Sequence, residues 1–228
     1  MEVLEKEKVN KINKVDRDYY KVLLVGQSGK GKTFSFRNMN SNTTGFINIE
    51  NKPLPFKNKF KFHSRPSTTQ EVLDTIKEYA TNNDINCICI DSFSAYMDLA
   101  LAEAKKTKKG FDIWNYYNDM VDLFNSYIKR TEKEVYATAH YEILGIEGTM
   151  EKRIKVKGKQ HEGLIEKDYT IVLYADNKFN DKGAASYHYL LAGEGLSAKC
   201  PPDIFGTNIL KVDNDVKMID DKIKEFVK

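Results

Sequence analysis

The sequence predicts an α/β protein with a mostly parallel central sheet flanked by helices, and three observations support this fold class. An apolar run at residues 20–25 leads into a glycine-rich turn and then into a segment without Gly or Pro. Short apolar segments that end in a polar residue recur at residues 46–49 and 85–90. Segments with helical periodicity lie between them, and strands that alternate with helices are typical of a parallel sheet.

Composition and length limit the class of protein. The 228 residues are enough for one sizeable domain, and a net charge of +3 means that any basic site has to be local. Three cysteines give neither a disulfide framework nor a zinc spacing, which favours a reducing compartment. The N-terminus has no apolar leader pattern, and no run reaches the ~18 apolar residues of a membrane span. We therefore expect a cytoplasmic protein.

The first part of the chain is predicted to alternate strands and helices. Residues 1–18 carry mixed charge and few apolar positions, which indicates a tail or a short helix. Residues 20–25 are predicted to form a strand, residues 34–39 can form a helix, and residues 46–49 form a second strand. A small strand is expected around residues 60–62, where two phenylalanines alternate with lysines.

The middle of the chain contains one clear helix start. Thr68 and Glu71 have the spacing of a capping box, which predicts a helix that continues to about Ala80. Residues 85–90 form an apolar strand that ends in Asp91. Residues 103–110 are rich in lysine and are expected to be a surface loop.

The last part of the chain combines clear and unclear patterns. Residues 111–131 form the longest helical pattern, and its aromatic stripe is interpreted as core: Trp114, Tyr117, Val121, Phe124 and Ile128. Residues 145–167 are polar without a convincing period. Three further strands are predicted at residues 134–139, 169–175 and 186–192. A turn at residues 180–183 joins the last two, and a helix is predicted at residues 216–227.

The glycine-rich turn has the spacing of a phosphate-binding P-loop, G-x-x-x-x-G-K-T. Its glycines let successive backbone N–H groups converge on phosphate oxygens, and the helix that begins near Gly31 adds the positive end of its dipole. Lys32 would reach the β- and γ-phosphates. The alternative is a glycine-rich turn without a ligand. The predicted nucleotide-binding residues are Gly26, Gln27, Ser28, Gly29, Lys30, Gly31, Lys32, Thr33 and Phe34.

Asp91 ends an apolar strand in the manner of a Walker B motif. Its carboxylate would hold Mg²⁺ through water, opposite the hydroxyl group of Thr33, which would ligate the metal directly. Carboxylate and hydroxyl oxygens are the ligands that Mg²⁺ prefers. ATP and Mg²⁺ are therefore the predicted cofactors.

Two further polar residues follow predicted strands, and the carboxyl ends of parallel strands meet at one edge of a sheet. Glu50 is the candidate general base that orients the attacking water, unless it is only a solvated residue at a strand end. His140 could sense the γ-phosphate through a hydrogen bond, or simply cap its strand. Both are candidate catalytic residues, together with Lys32.

These motifs, in this order, resemble the RecA-like ATPase core, and more narrowly the short phage-encoded RecA-like recombination ATPases linked to single-strand annealing. The resemblance covers residues 19–206, and we expect an ATPase domain at residues 19–210 followed by a C-terminal helix at residues 211–228. It implies DNA-stimulated hydrolysis of ATP, a catalytic role for Glu50, and a role for His140 in coupling the phosphate to a DNA-binding loop.

The resemblance also implies an assembly. Lys199 lies where the family has a lysine that reaches the nucleotide of the neighbouring subunit, so a homo-oligomeric ring or filament with nucleotide at the interface is expected. Single-stranded DNA is the expected substrate, with a single-strand-binding protein as a further partner. The location would be the host bacterial cytoplasm if the protein is phage-encoded.

A basic segment follows His140, where the RecA-like family places a DNA-binding loop. Its cations lie within eight residues with no acid among them: Lys152, Arg153, Lys155, Lys157 and Lys159. Alternating lysines would set charges along one edge, which suits phosphates rather than base edges. Tyr141 is the nearby aromatic residue in the sequence for base stacking. The alternative is a solvated lysine-rich loop, and the basic residues within 52–65 are the next candidate site.

Two other classes of function are considered. A phage-type nucleotide kinase also carries a P-loop, but it needs clustered arginines to clamp two phosphate chains, and residues 141–168 contain only Arg153. A scaffold that uses ATP for assembly with little turnover has no use for a base at Glu50. The sequence therefore favours an ATPase.

Overall fold

The computed structural model describes residues 18–146 and 148–228, so the predicted tail at residues 1–17 lies outside the described residues. Ten strands occur in this part of the chain. In chain order they are β1 (Lys21–Val25), β2 (Thr44–Asn48), β3 (Phe62–Ser64), β4 (Cys87–Asp91), β5 (Glu134–Ala139), β6 (Tyr141–Ile146), β7 (Thr149–Ile154), β8 (Ile171–Phe179), β9 (Ala185–Leu190) and β10 (Lys211–Asp213).

Eight of these strands form one sheet in the order β10-β9-β8-β1-β5-β4-β2-β3. The six strands from β8 to β3 pair in parallel, whereas β9 and β10 are added antiparallel at the other side. Every residue of β1, β2, β4 and β5 is buried, as expected for strands covered on both faces. The predicted fold class is confirmed.

Helices cover both faces of this sheet. They are α1 (Thr69–Thr81), α2 (Phe93–Thr107), α3 (Asp112–Arg130), α4 (Pro202–Phe205) and α5 (Val216–Phe226), with 3₁₀ helices at Thr33–Asn38 and Ile165–Asp168. The first three α-helices pack on the face that carries Leu23 and Val25. The last two α-helices and the first 3₁₀ helix pack on the opposite face, with Val22 and Leu24. The alternation along β1 thus divides the core into two layers.

Several predicted elements are confirmed. The Thr68 hydroxyl accepts a 3.2 Å hydrogen bond from the backbone N–H of Glu71 and caps α1. The Glu71 carboxylate reaches back to the N–H of Ser67 at 2.7 Å, one residue before the position that the capping box predicts. The longest helix, the strand before His140, the 180–183 turn and the C-terminal helix lie where they were expected.

Three segments differ from what their sequence indicated. The lysine-rich loop expected at residues 103–110 is helical up to Thr107, because α2 buries Ala100 and Ala104 against the core. Residues 145–167, without a recognisable period, contain β7, which pairs antiparallel with β6 to form a hairpin. The segment after the P-loop is a six-residue 3₁₀ helix, too short to supply a substantial helix dipole.

The aromatic stripe of α3 is only partly core. Tyr117, Val121, Phe124 and Ile128 are buried as predicted, but Trp114 keeps 38% of its surface exposed. This residue lies in the first turn of the helix, where the protein core ends.

Among the residues that the structure describes, no helix is long and apolar enough to cross a membrane.

Candidate functional site

The carboxyl edge of the parallel strands brings the P-loop and three further predicted site residues together. The P-loop follows β1, Glu50 lies just beyond β2, Asp91 ends β4 and His140 follows β5. A cavity of about 450 Å³ opens at this edge. It is lined by Ser28, Gly29, Gly31, Lys32, Thr33, Phe34, Glu50, Lys52, Pro55, His140 and Tyr187.

The P-loop is folded tightly around the side chain of its own lysine. Lys32 Nζ donates to the carbonyl oxygens of Gly26 at 2.7 Å and Gln27 at 3.0 Å. Burial lowers the pKa of Lys32 to about 8, and the charges of Asp91 and Glu50 oppose this shift only in part. The lysine is therefore a buried donor whose hydrogen bonds a phosphate could replace.

Gly31 has to be a glycine for two reasons. Its φ is +83°, in the region that L side chains rarely adopt, and a Cβ atom there would lie 2.8 Å from the ring of Tyr187. Tyr187 belongs to the antiparallel strand β9, so the glycine allows a distant aromatic ring to form one wall of the cavity.

Asp91 is held by hydroxyl groups on both of its oxygens. Thr33 Oγ1 donates to Oδ2 at 2.8 Å, and Thr138 Oγ1 donates to Oδ1 at 2.6 Å. Burial raises the pKa of Asp91, and these two hydrogen bonds oppose the rise. The contact between Thr33 and Asp91 joins the P-loop to the Walker B strand, the two motifs that the sequence predicted.

The oxygen atoms at this contact suit a magnesium ion. Thr33 and Asp91 supply a hydroxyl and a carboxylate, both hard ligands, beside the loop that would hold phosphates. The described part of the chain contains no group of three or more His, Cys, Asp or Glu side chains placed so that they could hold a metal ion. A metal there would therefore complete its coordination with water and phosphate oxygens rather than with protein groups.

Glu50 forms an ion pair with Lys52, a residue that the sequence indicated only as part of the basic segment 52–65. Its Oε2 lies 2.7 Å from Lys52 Nζ, and its Oε1 accepts from Ser92 Oγ at 3.2 Å. Burial acts to raise the pKa of Glu50, but the hydrogen bond and charge of Lys52, with smaller contributions from Ser92 and His140, together lower it. The carboxylate is therefore ionised at neutral pH, as a base must be.

The backbone around Glu50 is fixed by a tight turn. The N–H groups of Ile49 and Glu50 both donate to the carbonyl oxygen of Asp91, at 2.7 and 3.1 Å. Asn48 Nδ2 donates to the carbonyl oxygen of Lys52 at 2.8 Å, and Asn51 has a φ of +54°. The turn thus presents Glu50 and Lys52 on the same side, facing the P-loop.

His140 contacts the P-loop directly. Its Nδ1 lies 3.1 Å from the carbonyl oxygen of Gly26, and its backbone N–H donates to Ser94 Oγ at 2.9 Å. Burial lowers the pKa of His140, and the charge of Lys32 lowers it further. The next residue, Tyr141, accepts a 2.9 Å hydrogen bond at its carbonyl oxygen from Gln27 Nε2. The P-loop is therefore tied to the first residue of the hairpin.

Two predicted site residues, Lys30 and Lys199, do not line the cavity. Lys30 Nζ contacts Asp176 at 3.0 Å and Asn177 at 2.6 Å, so its charge ties the loop to β8. Lys199 does not line the cavity. Its backbone pairs with Val172, in the first half of β8, away from the carboxyl edge. Burial lowers the pKa of Lys199, and Asp168 and Glu166 oppose this.

The five predicted DNA-binding cations differ in their surroundings. Lys152 and Arg153 lie in β7, where Lys152 Nζ is 5.3 Å from the Tyr141 ring centre and Arg153 pairs with Glu151 at 2.6 Å. Lys157 pairs with Asp98 at 3.0 Å. Lys155 and Lys159 are exposed. The segment is therefore less positive than its sequence suggested, because two of the five cations have acidic partners.

Sequence reasoning missed four side chains of the site: Ser94, Thr138, Tyr187 and Lys52 as a partner of Glu50. Thr138 carried a weak signal, because it lies two residues before His140, and side chains two residues apart in a strand lie on the same face. Tyr187 carried none, since it comes from a strand far along the chain.

A protein-family model described as AAA domain matches residues 18–201, from just before β1 to just after Lys199. No curated protein matches the chain.

Proposed function

Since the chain belongs to the AAA domain family, a family of P-loop nucleotide-binding ATPases, we propose that it is a magnesium-dependent ATPase that acts on single-stranded DNA. The recombination or single-strand annealing role is part of this proposal, as is hydrolysis stimulated by DNA. The observation that carries the ATPase part is the 2.8 Å contact between Thr33 and Asp91, beside the buried Lys32.

The chemistry assigned to each residue follows from its position. Lys32 would exchange its two carbonyl contacts for the β- and γ-phosphates of ATP. Thr33 and Asp91 would hold Mg²⁺, which when bound neutralises charge on the phosphates. Glu50 would take the proton of the attacking water, since it is an ionised carboxylate that lines the same cavity.

The cavity favours hydrolysis over transfer to a second nucleotide. Its described lining residues include two lysines, Lys32 and Lys52, and no arginine. A nucleotide kinase clamps two phosphate chains, and planar arginines are the usual donors for that task. The cavity has one phosphate-binding loop and one candidate base, Glu50, so water is the better candidate for the acceptor of the γ-phosphoryl group.

The DNA part of the proposal is supported by the placement of the basic segment. The hairpin follows β5 directly, and the backbone N–H of Lys155 donates to the carbonyl oxygen of His140 at 2.9 Å. If a change at the phosphates moves His140 or Gln27, the movement would therefore be passed directly to the backbone of the hairpin and of the basic segment. Lys199 would complete the site of a neighbouring subunit in a ring or filament.

The experiment that tests the proposal measures ATP hydrolysis with and without single-stranded DNA, with Mg²⁺ present or removed by chelation. We expect hydrolysis that needs the metal and rises with DNA. Lys32→Ala should abolish turnover while the fold survives, and Glu50→Gln should bind ATP but hydrolyse it about 10²-fold more slowly. Normal turnover in both variants would refute the assignment of this cavity as the ATPase site.

A further inference from the structure

Two aromatic side chains at the start of α3 lie at the surface instead of in the core. Phe111 is 77% exposed and Trp114 is 38% exposed, whereas Tyr117 and Phe124 further along are fully buried. The backbone N–H of Trp114 donates to the carbonyl oxygen of Phe111 at 3.0 Å, so the two residues lie within one turn of each other. Isolated exposed apolar residues are common, but here two large aromatic side chains are exposed one helical turn apart, which makes this end of the helix a candidate contact surface.

The Trp114 ring is held in place by its neighbours. It packs edge-to-face on Tyr117, with ring centres 6.2 Å apart, and it lies against Gly158. A Cβ atom at Gly158 would come within 3.2 Å of the ring, and the φ of +74° there also favours glycine. The indole is thus a fixed platform, and little conformational entropy would be lost when a flat group stacks on it.

The basic segment after the hairpin is docked on this platform. The backbone N–H of Lys157 donates to the Tyr117 hydroxyl at 3.0 Å, and Asn118 Nδ2 donates to Gln160 Oε1 at 2.7 Å. Exposed Lys155 and Lys159 therefore flank the segment that contacts Trp114.

A second group of lysines lies next to Phe111 along the chain. The connection between α2 and α3 runs directly into Phe111, and the N–H of Asp112 donates to the carbonyl oxygen of Lys109 at 3.2 Å. The lysines at the end of α2 and in this connection are all exposed: Lys105, Lys106, Lys108 and Lys109. Acidic groups also occur in this region: Asp98 is paired with Lys157, and Asp112 and Asp119 are exposed on α3.

Flat aromatic surface between two groups of cations matches the chemistry of a single nucleic-acid strand. Unpaired bases stack on aromatic rings, while lysines bind the phosphates between them without reading sequence. A membrane surface would need a larger apolar face than two rings. A duplex would hide its bases from the rings.

We propose that Phe111 and Trp114, flanked by the two groups of lysines, form a base-stacking site for single-stranded DNA. The site rests on the proposed function, in that it takes the same ligand, but it places the stacking contacts on α3 rather than on the hairpin. Tyr141, the aromatic expected from the sequence, lies under Lys152 on the hairpin.

Trp114 is the only tryptophan of the chain, so tryptophan emission reports on this site alone. Titration with oligo(dT) should quench that emission. Trp114→Ala should weaken binding about tenfold or more, the scale of one lost base–aromatic stack, as measured by anisotropy of a labelled oligonucleotide. Phe111→Ala should weaken binding as well, and the variant should keep its fold because the Phe111 side chain is exposed.

Three controls define the outcome. Phe179→Ala removes an aromatic that is 69% exposed at the end of β8 and should leave binding unchanged. Polyphosphate carries the charges of DNA without bases, so its binding should not depend on Trp114. Anionic vesicles should not shift the emission, and a shift with vesicles but not with oligo(dT) would replace DNA by a membrane as the ligand.

Two failures can be told apart. If the wild type binds oligo(dT) while its emission and the affinities of both aromatic variants stay unchanged, the stacking site is wrong and DNA binding stands. If the wild type binds no oligo(dT) at all, the DNA part of the proposed function fails together with the stacking site, and ATP hydrolysis is unaffected by that result.

Discussion

Thr138 donates a 2.6 Å hydrogen bond to Oδ1 of Asp91 from the neighbouring strand β5. Thr33 of the P-loop occupies the other carboxylate oxygen at 2.8 Å. Two hydroxyl groups thus fix the carboxylate. That of Thr33 would also ligate a metal, whereas that of Thr138 contacts only the other carboxylate oxygen. This arrangement makes Thr138 a positioning residue for the proposed magnesium site.

We expect Thr138→Val to weaken the response to magnesium. The valine keeps the shape of threonine but leaves Oδ1 of the buried Asp91 without its donor, and loss of such a partner typically costs 10- to 100-fold in metal affinity. The Mg²⁺ concentration that gives half-maximal ATP hydrolysis should rise by about that factor. Thr138→Ser, which retains the hydroxyl, is the matched control and should behave like the wild type.

Nucleotide affinity should fall as the pH rises above about 8, because the pKa of Lys32 lies there before ATP binds. Bound phosphates favour the charged form and raise this pKa, so binding takes up a proton in the interval between the two values. The fall should approach about tenfold per pH unit within that interval.

Calorimetry in two buffers with different ionisation enthalpies measures the proton uptake directly. Lys32→Arg keeps its charge throughout this range and should lose the pH dependence, even if its affinity is lower. An affinity of the wild type that stays constant from about pH 7.5 to 9.5 would show that Lys32 is already charged in the free protein.

Lys52→Ala should move the acidic limb of the pH–rate profile for ATP hydrolysis to higher pH. Burial raises the pKa of Glu50, and Lys52 is the main group that holds it down, so removal of the lysine lets the pKa rise. The base then loses its proton only at higher pH. Lys57→Ala, an exposed lysine outside the cavity lining, is the control and should leave the profile in place.

Replacement of Lys155, Lys157 and Lys159 together by Ala should weaken binding to single-stranded DNA regardless of sequence. Each lost phosphate contact should reduce the slope of log K against log salt by roughly 0.7. Since Lys157 is paired with Asp98, we expect a loss closer to two contacts than to three. An unchanged slope would move the phosphate contacts elsewhere, with the basic residues of segment 52–65 next to be tested.

Lys199→Ala should bind ATP nearly as well as the wild type and hydrolyse it poorly, because Lys199 lies outside its own cavity and would act on a neighbour. Mixing this variant with Lys32→Ala should restore some activity, since a mixed interface combines one intact P-loop with one intact Lys199. Size-exclusion chromatography with and without ATP accompanies the test. A strict monomer under both conditions would exclude the mechanism.

The motifs of the site were predictable because each is local. The P-loop, Asp91, Glu50 and His140 follow apolar segments, and the rule that ligands bind at the carboxyl ends of parallel strands gathers them at one edge. The pairing of Thr138 with Asp91 depends instead on β5 lying beside β4, and neighbouring strands in the sheet are not marked in the local sequence.

The missed elements have physical reasons as well. The β6–β7 hairpin shows no apolar alternation, since most of its residues are exposed or half-buried. Trp114 fitted the period of a buried stripe, but periodicity does not show where along a helix the core ends. The lysines at the end of α2 suggested a loop because the small residues that pack this helix, Ala100 and Ala104, give a weak apolar signal.

The two outermost strands of the main sheet, β3 and β10, have only three residues each. An edge this short offers few unpaired N–H and C=O groups to a second chain, which protects the protein from joining others strand to strand. The main sheet therefore offers little free backbone through which copies of this chain could join. In the proposed ring or filament, contacts made by side chains and loops would separate and re-form during nucleotide turnover without breaking a backbone ladder of this sheet.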